Sequence, residues 1–239
     1  MKHECFHEDN EYRFNCSGIR RKTTDVVQTS SLIRRAYRGE REAAVGLKIG
    51  FWPFVSEFEH AIDRQSLPRQ PLVNKFGERR VRQTFVGIAR AVRHMKQEEG
   101  SHAAHWRKDA QCLGVDDLSG PCAPDLQKLI DRAYTNSLPL FFATLAGTEF
   151  IAEELSRFLM DSSAFTSLFT RRRWIWGEVH LAPHDSGPSH LEIDLDLARA
   201  YAASTDPTEI EDMVLDTVAL FGRAADQVED VFLPELMMV

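Results

Sequence analysis

The stretch that most constrains this chain is residues 138–160, LPLFFATLAGTEFIAEELSRFLM. At helical spacing it is apolar nearly all round for two turns, and a helix of that kind has to be surrounded by others. Pro139 sits where a first helical turn tolerates proline. Glu149 interrupts the apolar part, with Glu153 one turn later and Glu154 beside it. The chain has no apolar run of 18 residues, so the stretch reads as the centre of a bundle and no membrane partner is expected.

Helical periodicity recurs on both sides of that stretch. Leu32, Ile33, Ala36, Ala43, Ala44 and Leu47 repeat at threes and fours, with Gly50 and Pro53 as punctuation before a second piece holding Phe54, Phe58 and Ile62. Pro68 and Pro71 suggest a loop over 67–76. A long helix is predicted from about 78 to 113, with Gly114 at its C-terminal turn. Helices are also expected over 125–134, 164–182 and 190–204, with Ser189 capping the last of these, and again after Pro207. There is no strand-like alternation and no internal repeat. The fold class is therefore all-α: a multi-helix bundle of seven to nine helices, with 1–28 as a polar N-terminal segment and 29–239 as one bundle domain.

Composition narrows the function. The net charge is -7, which argues against a nucleic-acid partner. Four sparse cysteines without a CxxC pair, and no apolar core in the first 30 residues, point to reduced thiols in the cytoplasm. Cys112 is expected to be a small buried residue. The apolar face of the terminal helix can complete the core or serve a homodimer.

Chemistry concentrates in residues 97–114. Glu98, Glu99, His102 and His105 fall within eight positions, and Glu99 and His102, three apart, project from one helical face. The apolar stripe Val81, Phe85, Ile88, Val92 and Met95 continues into Glu99, His102 and Trp106, which places the polar cluster toward the core. There a charge is costly unless paired or metal-bound. Carboxylate oxygen beside imidazole nitrogen suits iron, manganese or zinc. Two later stretches supply further donors: Glu149 and Glu153, then His180, His184, Asp185 and His190. Bundles build metal sites from several helices in this way.

HAAHWRKDAQCLGV (102–115) resembles the H-x-x-L-W-x-x-x-x-x-x-L-G segment of heme-oxygenase-like diiron oxidases and oxygenases, relatives of thiaminase II and of the pyrroloquinoline-quinone synthase. His102, Trp106, Leu113 and Gly114 match, and His105 replaces the apolar residue before the Trp. The resemblance implies a heme-oxygenase-like bundle holding two Fe(II) per chain. It also implies dioxygen and a small amino-acid-like or fatty-acid-like molecule as substrates. The ligands it implies are Glu99 or Glu98, then His102, then Glu149 with Glu153 as fallback. The family's final H-x-x-x-D/E-x-x-H motif is imperfect here. It aligns as His180, Asp185 and His190 with residues inserted at Pro183; the competing register His190-x-x-x-Asp194 has no final His.

Three other readings use the same residues. A metal-free enzyme of that fold, thiaminase-II-like, needs an activated Cys beside a carboxylate, and a cofactorless oxidase would use the histidines as acid–base groups. A ferritin-like diiron bundle would pair Glu57–His60 with Glu99–His102. A non-catalytic helical binding protein would use none of them.

Overall fold

The computed structural model describes residues 6, 14–182, 189–204 and 206–236, the last four by backbone alone. Among the described residues there are twelve α-helices, one 3-10 turn and no strand. The count exceeds seven to nine because two expected helical stretches are broken and two helices form where none was expected.

The first break lies in 30–66. It becomes α2 (Ser31–Tyr37), α3 (Arg41–Val55) and α4 (Phe58–Arg64), which follow α1 (Cys16–Thr29). The chain turns at Gly39, whose φ of 82° suits glycine. Gly50 does not punctuate. It lies inside α3, where a Cβ would come within 2.2 Å of the Val228 side chain, so the glycine lets two helices approach closely. Pro53 is likewise accommodated inside α3.

Three further expectations are corrected. Residues 67–76 hold a helix, α5 (Arg69–Phe76), and not a loop. Pro68 is its N-cap and Pro71 falls in the first turn, where the missing N–H has no intrahelical partner to lose. Cys16–Thr29, within the stretch expected to be a polar lead-in, forms α1 and buries Ile19, Thr23 and Val27. The run 164–182 breaks into α9 (Ser163–Thr166), a 3-10 turn at Thr170–Arg172 and α10 (Ile175–Leu181), with Arg171 and Arg172 at φ 58° and 57°.

The long helix α6 spans Glu78–Cys112, as its periodicity predicts. It ends in a Schellman turn: the Gly114 N–H reaches the Gln111 carbonyl (2.9 Å) and the Val115 N–H reaches Ala110 (3.0 Å), with Gly114 at φ 73°. Cys112, in the last turn, is exposed and not buried. Then come α7 (Pro124–Ala133) and α8 (Leu138–Met160). After α10 come α11 (His190–Tyr201) and α12 (Pro207–Leu236).

The central position expected for α8 is observed. It packs against α1, α10, α11 and α12, and buries Phe141, Phe142, Leu145, Phe150, Leu155 and Leu159. Gly147 brings its backbone against Thr217 and the Val214 carbonyl of α12. The apolar face of α12, including Ile210, Val214, Val218, Phe221 and Val228, lies inside the same core. Among the described residues no helix is long and apolar enough to cross a membrane.

Candidate metal centre

Four helices bring the acidic and imidazole side chains together: α6, α8, α10 and α11. The register within α6 decides which of its residues take part. Met95, Glu99, His102 and Trp106, at fours and threes, line one wall of a cavity that is partly open to solvent. Thr148 and Glu149 of α8, Trp176 and His180 of α10, and Asp194 of α11 line it too.

Local sequence explains the α11 contribution. Ser189 and Glu192 form a capping box: the Ser189 side chain accepts from the Glu192 N–H, and the Glu192 carboxylate accepts from the Ser189 N–H at 2.8 Å. The cap starts the helix at His190, so His190 and Asp194, four apart, share one face.

The donor atoms interlock. Glu99, Glu149 and His190 each offer an atom within 4.8 Å of the others. Nδ1 of His190 lies 3.4 Å from Glu149 and 3.9 Å from Glu99, while its Nε2–H donates to Glu98 at 2.6 Å. Nδ1–H of His102 donates to Glu99 at 3.3 Å. The rings of His102 and His180 are 4.3 Å apart. His180 donates from Nδ1 to the Trp176 carbonyl at 2.7 Å, and a carbonyl only accepts, so Nε2 of His180 carries the lone pair.

Charge is crowded here. Burial pushes the carboxyl of Asp194 well above the usual range, Glu149 and Glu99 add to this, and His190 opposes it. Burial works against a charged His190, but Glu149 and Glu99 outweigh it and raise that group to about 10. Burial together with neighbouring His102 pushes His180 down to about 4, which keeps it neutral. Glu99 resists its burial because His102, His180 and His190 hold it below the ordinary value. Both oxygens of Asp194 are buried without a hydrogen-bond partner. A buried carboxyl left in that state either keeps its proton or takes up a cation.

The sequence-derived candidates sort as follows. Glu99, His102, Glu149, His180 and His190 meet in or beside the cavity. Glu98 grips the far nitrogen of His190 and pairs with His94 at 2.9 Å, so it supports the cluster from outside. Glu153 points elsewhere, to Arg20 (2.5 Å) and Arg157 (2.6 Å). Asp185 and His184 fall outside the described residues. His105 does not line the cavity. His60 is exposed and Glu57 accepts from the Tyr134 hydroxyl, so the ferritin-like pairing is not formed. Asp194 is the residue the favoured register passed over; its signal was the four-residue spacing from His190 behind a strong cap.

No known family model matches the sequence, and no curated protein does. Among solved structures, the crystal structure of a TenA homolog from Pseudomonas syringae pv. tomato superposes with a TM-score of 0.67. It covers 97% of this chain and 99% of that one. The fold is TenA-like. The helical bundle is thus of the heme-oxygenase-like kind that the 102–115 motif implied. At 15% identity the TenA likeness concerns architecture alone.

Proposed function

We propose that this chain is a non-heme diiron enzyme that uses dioxygen to oxidise a small, mainly apolar molecule. The observation that carries the reading is the unpartnered, buried carboxylate of Asp194 beside the Glu99–Glu149–His190 triad. Mixed carboxylate and imidazole donors from several bundle helices suit iron. Glu99, His102, Glu149, His180, His190 and Asp194 would hold Fe(II), two per chain. Glu98 would fix the His190 ring by accepting a hydrogen bond from its Nε2–H, the carboxylate–imidazole arrangement that orients metal-binding histidines. Bound iron would supply electrons to dioxygen, and anionic oxygen donors stabilise its higher charge state.

The remaining work falls to the walls. Phe51, Phe54, Phe58, Ile62, Leu145 and Phe221 offer an apolar surface that binds hydrocarbon and excludes water. Among the described residues no Arg or Lys lines the cavity. Arg157 is paired with Glu153 and Glu154, Arg173 with Glu178, and Arg171 and Arg172 are exposed. Among the described residues no cation remote from the cluster meets a substrate carboxylate, so it is the apolar walls that favour a fatty-acid-like or aromatic substrate over an amino acid, whose ammonium group would also need a polar partner.

The TenA-like architecture favours one other reading, a metal-free thiaminase-II-like enzyme. Cys16, Cys112 and Cys122 all lie off the cavity, which leaves that chemistry without a nucleophile among the described residues. Anaerobic loading with Fe(II), followed by iron analysis and oxygen-uptake measurements with fatty acids of graded length, aromatic acids and amino acids, separates the two. About two irons per chain and uptake stimulated by an apolar acid are expected. A protein that retains no iron, or whose uptake no compound changes, refutes the proposal.

A further inference from the structure

Behind the cavity wall, outside its lining, sits a cation in an aromatic cage. Lys48 of α3 lies in the apolar run AAVGLKIGF and is 1% exposed. Its ammonium is 3.7 Å from the ring centre of Trp106, 5.2 Å from Trp174 and 5.9 Å from Trp176. Nζ makes no hydrogen bond and stands 3.6 Å from Oδ2 of Asp109, also 1% exposed. The Trp106 indole N–H closes the arrangement by donating to the Lys48 carbonyl at 2.9 Å. Burial pushes Lys48 down to about 8, with Asp109 opposing, so it stays a cation at neutral pH.

Asp109 has a second engagement. Its two oxygens accept from the N–H groups of Ile175 (3.2 Å) and Trp176 (3.0 Å), the first turn of α10. Those donors have no partner within their own helix. Trp176 in turn lays its ring 3.9 Å from that of His180, and its carbonyl accepts a hydrogen bond from the His180 Nδ1–H. A buried ion pair seldom adds stability over an apolar pair of the same volume, so its presence asks for another role.

We infer that Lys48 and Asp109 are positioning residues for His180. The caged ammonium anchors the Asp109 carboxylate, the carboxylate caps and orients α10, and α10 holds Trp176 and His180 against His102. Neither residue touches the cavity. The role in metal binding rests on the diiron reading above; the orientation of His180 does not.

The test has a metal-free and a metal-bound arm, applied to Lys48→Met, Asp109→Asn and, as a control, Asp125→Asn. Asp125 is a buried acid paired with Lys128 and Arg223, away from the site. In metal-free protein, amide exchange at Ile175 and Trp176 and the NMR shifts of the His180 ring are followed. The wild type should protect both amides, against the usual fast exchange of first-turn N–H groups. Lys48→Met and Asp109→Asn should lose that protection and move the His180 shifts, whereas Asp125→Asn lowers the melting temperature and does neither. In the second arm Co(II) is titrated and its visible spectrum recorded, and the two site-linked variants should bind about 10–100-fold more weakly with an altered spectrum. Unprotected amides in the wild type overturn the inference with no variant needed, as does an unmoved His180 in Asp109→Asn, the milder change. If the wild type binds no Co(II), the metal reading fails and the first arm still decides the positioning role.

Discussion

Glu98 and His190, 92 residues apart, meet at 2.6 Å, while Glu99, the next residue along, faces the other side of the same imidazole at 3.9 Å. Successive helical residues point about 100° apart, so two adjacent carboxylates reach different nitrogens of one ring. Their roles should therefore differ in kind. Glu99→Ala is expected to abolish tight Fe(II) or Co(II) binding, and Glu98→Ala to weaken it about 10–100-fold while leaving the number of bound ions unchanged. Equal losses in the two variants, read by metal titration, would contradict this division.

Asp194 should trade stability against binding. Its carboxylate is buried and unpartnered beside Glu149 and Glu99. Asp194→Asn keeps the shape and removes the cost, at neutral pH, of holding a proton on that buried carboxyl. The metal-free variant is expected to melt about 2–4 °C above the wild type, the effect of roughly 1 kcal/mol in a chain this long. The same variant should lose metal affinity. Differential scanning fluorimetry on metal-free protein checks the first half, and a variant less stable than the wild type refutes it.

Lys48 predicts a pH effect whose sign is fixed. Its ordinary value is 10.5 and burial lowers it to about 8. Between these limits the unfolded chain binds more protons than the folded one, so Lys48's contribution makes the protein more stable as pH rises from 8 toward 10.5. Below 8 the burial penalty is present in full. The whole span is worth about 3 kcal/mol at about 1.4 kcal/mol per pH unit. Comparing urea unfolding of the wild type with Lys48→Met at pH 7.5 and 9.5 isolates it: the wild type should gain relative to the variant at the higher pH. A constant difference would mean the ammonium is not desolvated.

Two glycines should respond oppositely to alanine. At Gly147 a Cβ would lie 2.8 Å from Thr217 and 3.2 Å from the Val214 carbonyl, and backbone cannot easily give way. Gly147→Ala is expected to cost about 1–3 kcal/mol by forcing α8 from α12. At Gly87, inside α6, nothing lies within 4 Å of the added atom. Gly87→Ala should stabilise by about 0.5–1 kcal/mol through helix propensity. Thermal melts of the two variants side by side are the check.

The helices, and much of the cluster, could be read along the chain because the information is local. An apolar residue every three or four positions, a Ser-x-x-Glu cap at Ser189 and a glycine at position 114 act within a turn or two of themselves. The boundaries of α6 and α8 and the start of α11 follow from them. Glu99 with His102 was equally legible, since three-residue spacing on one helix forces proximity. The distances that decide the rest run between helices, where periodicity carries no information. The rotation of α6 about its axis chose Glu99 over Glu98 for the cavity. The approach of α11 to α8 brought in Asp194, which the sequence offered only in the competing register from His190. Packing of α3 against α6 turned Lys48, an oddity inside an apolar run, into the partner of Asp109. Linear order sets which atoms share a helical face; only the burial of those faces against one another sets which faces meet.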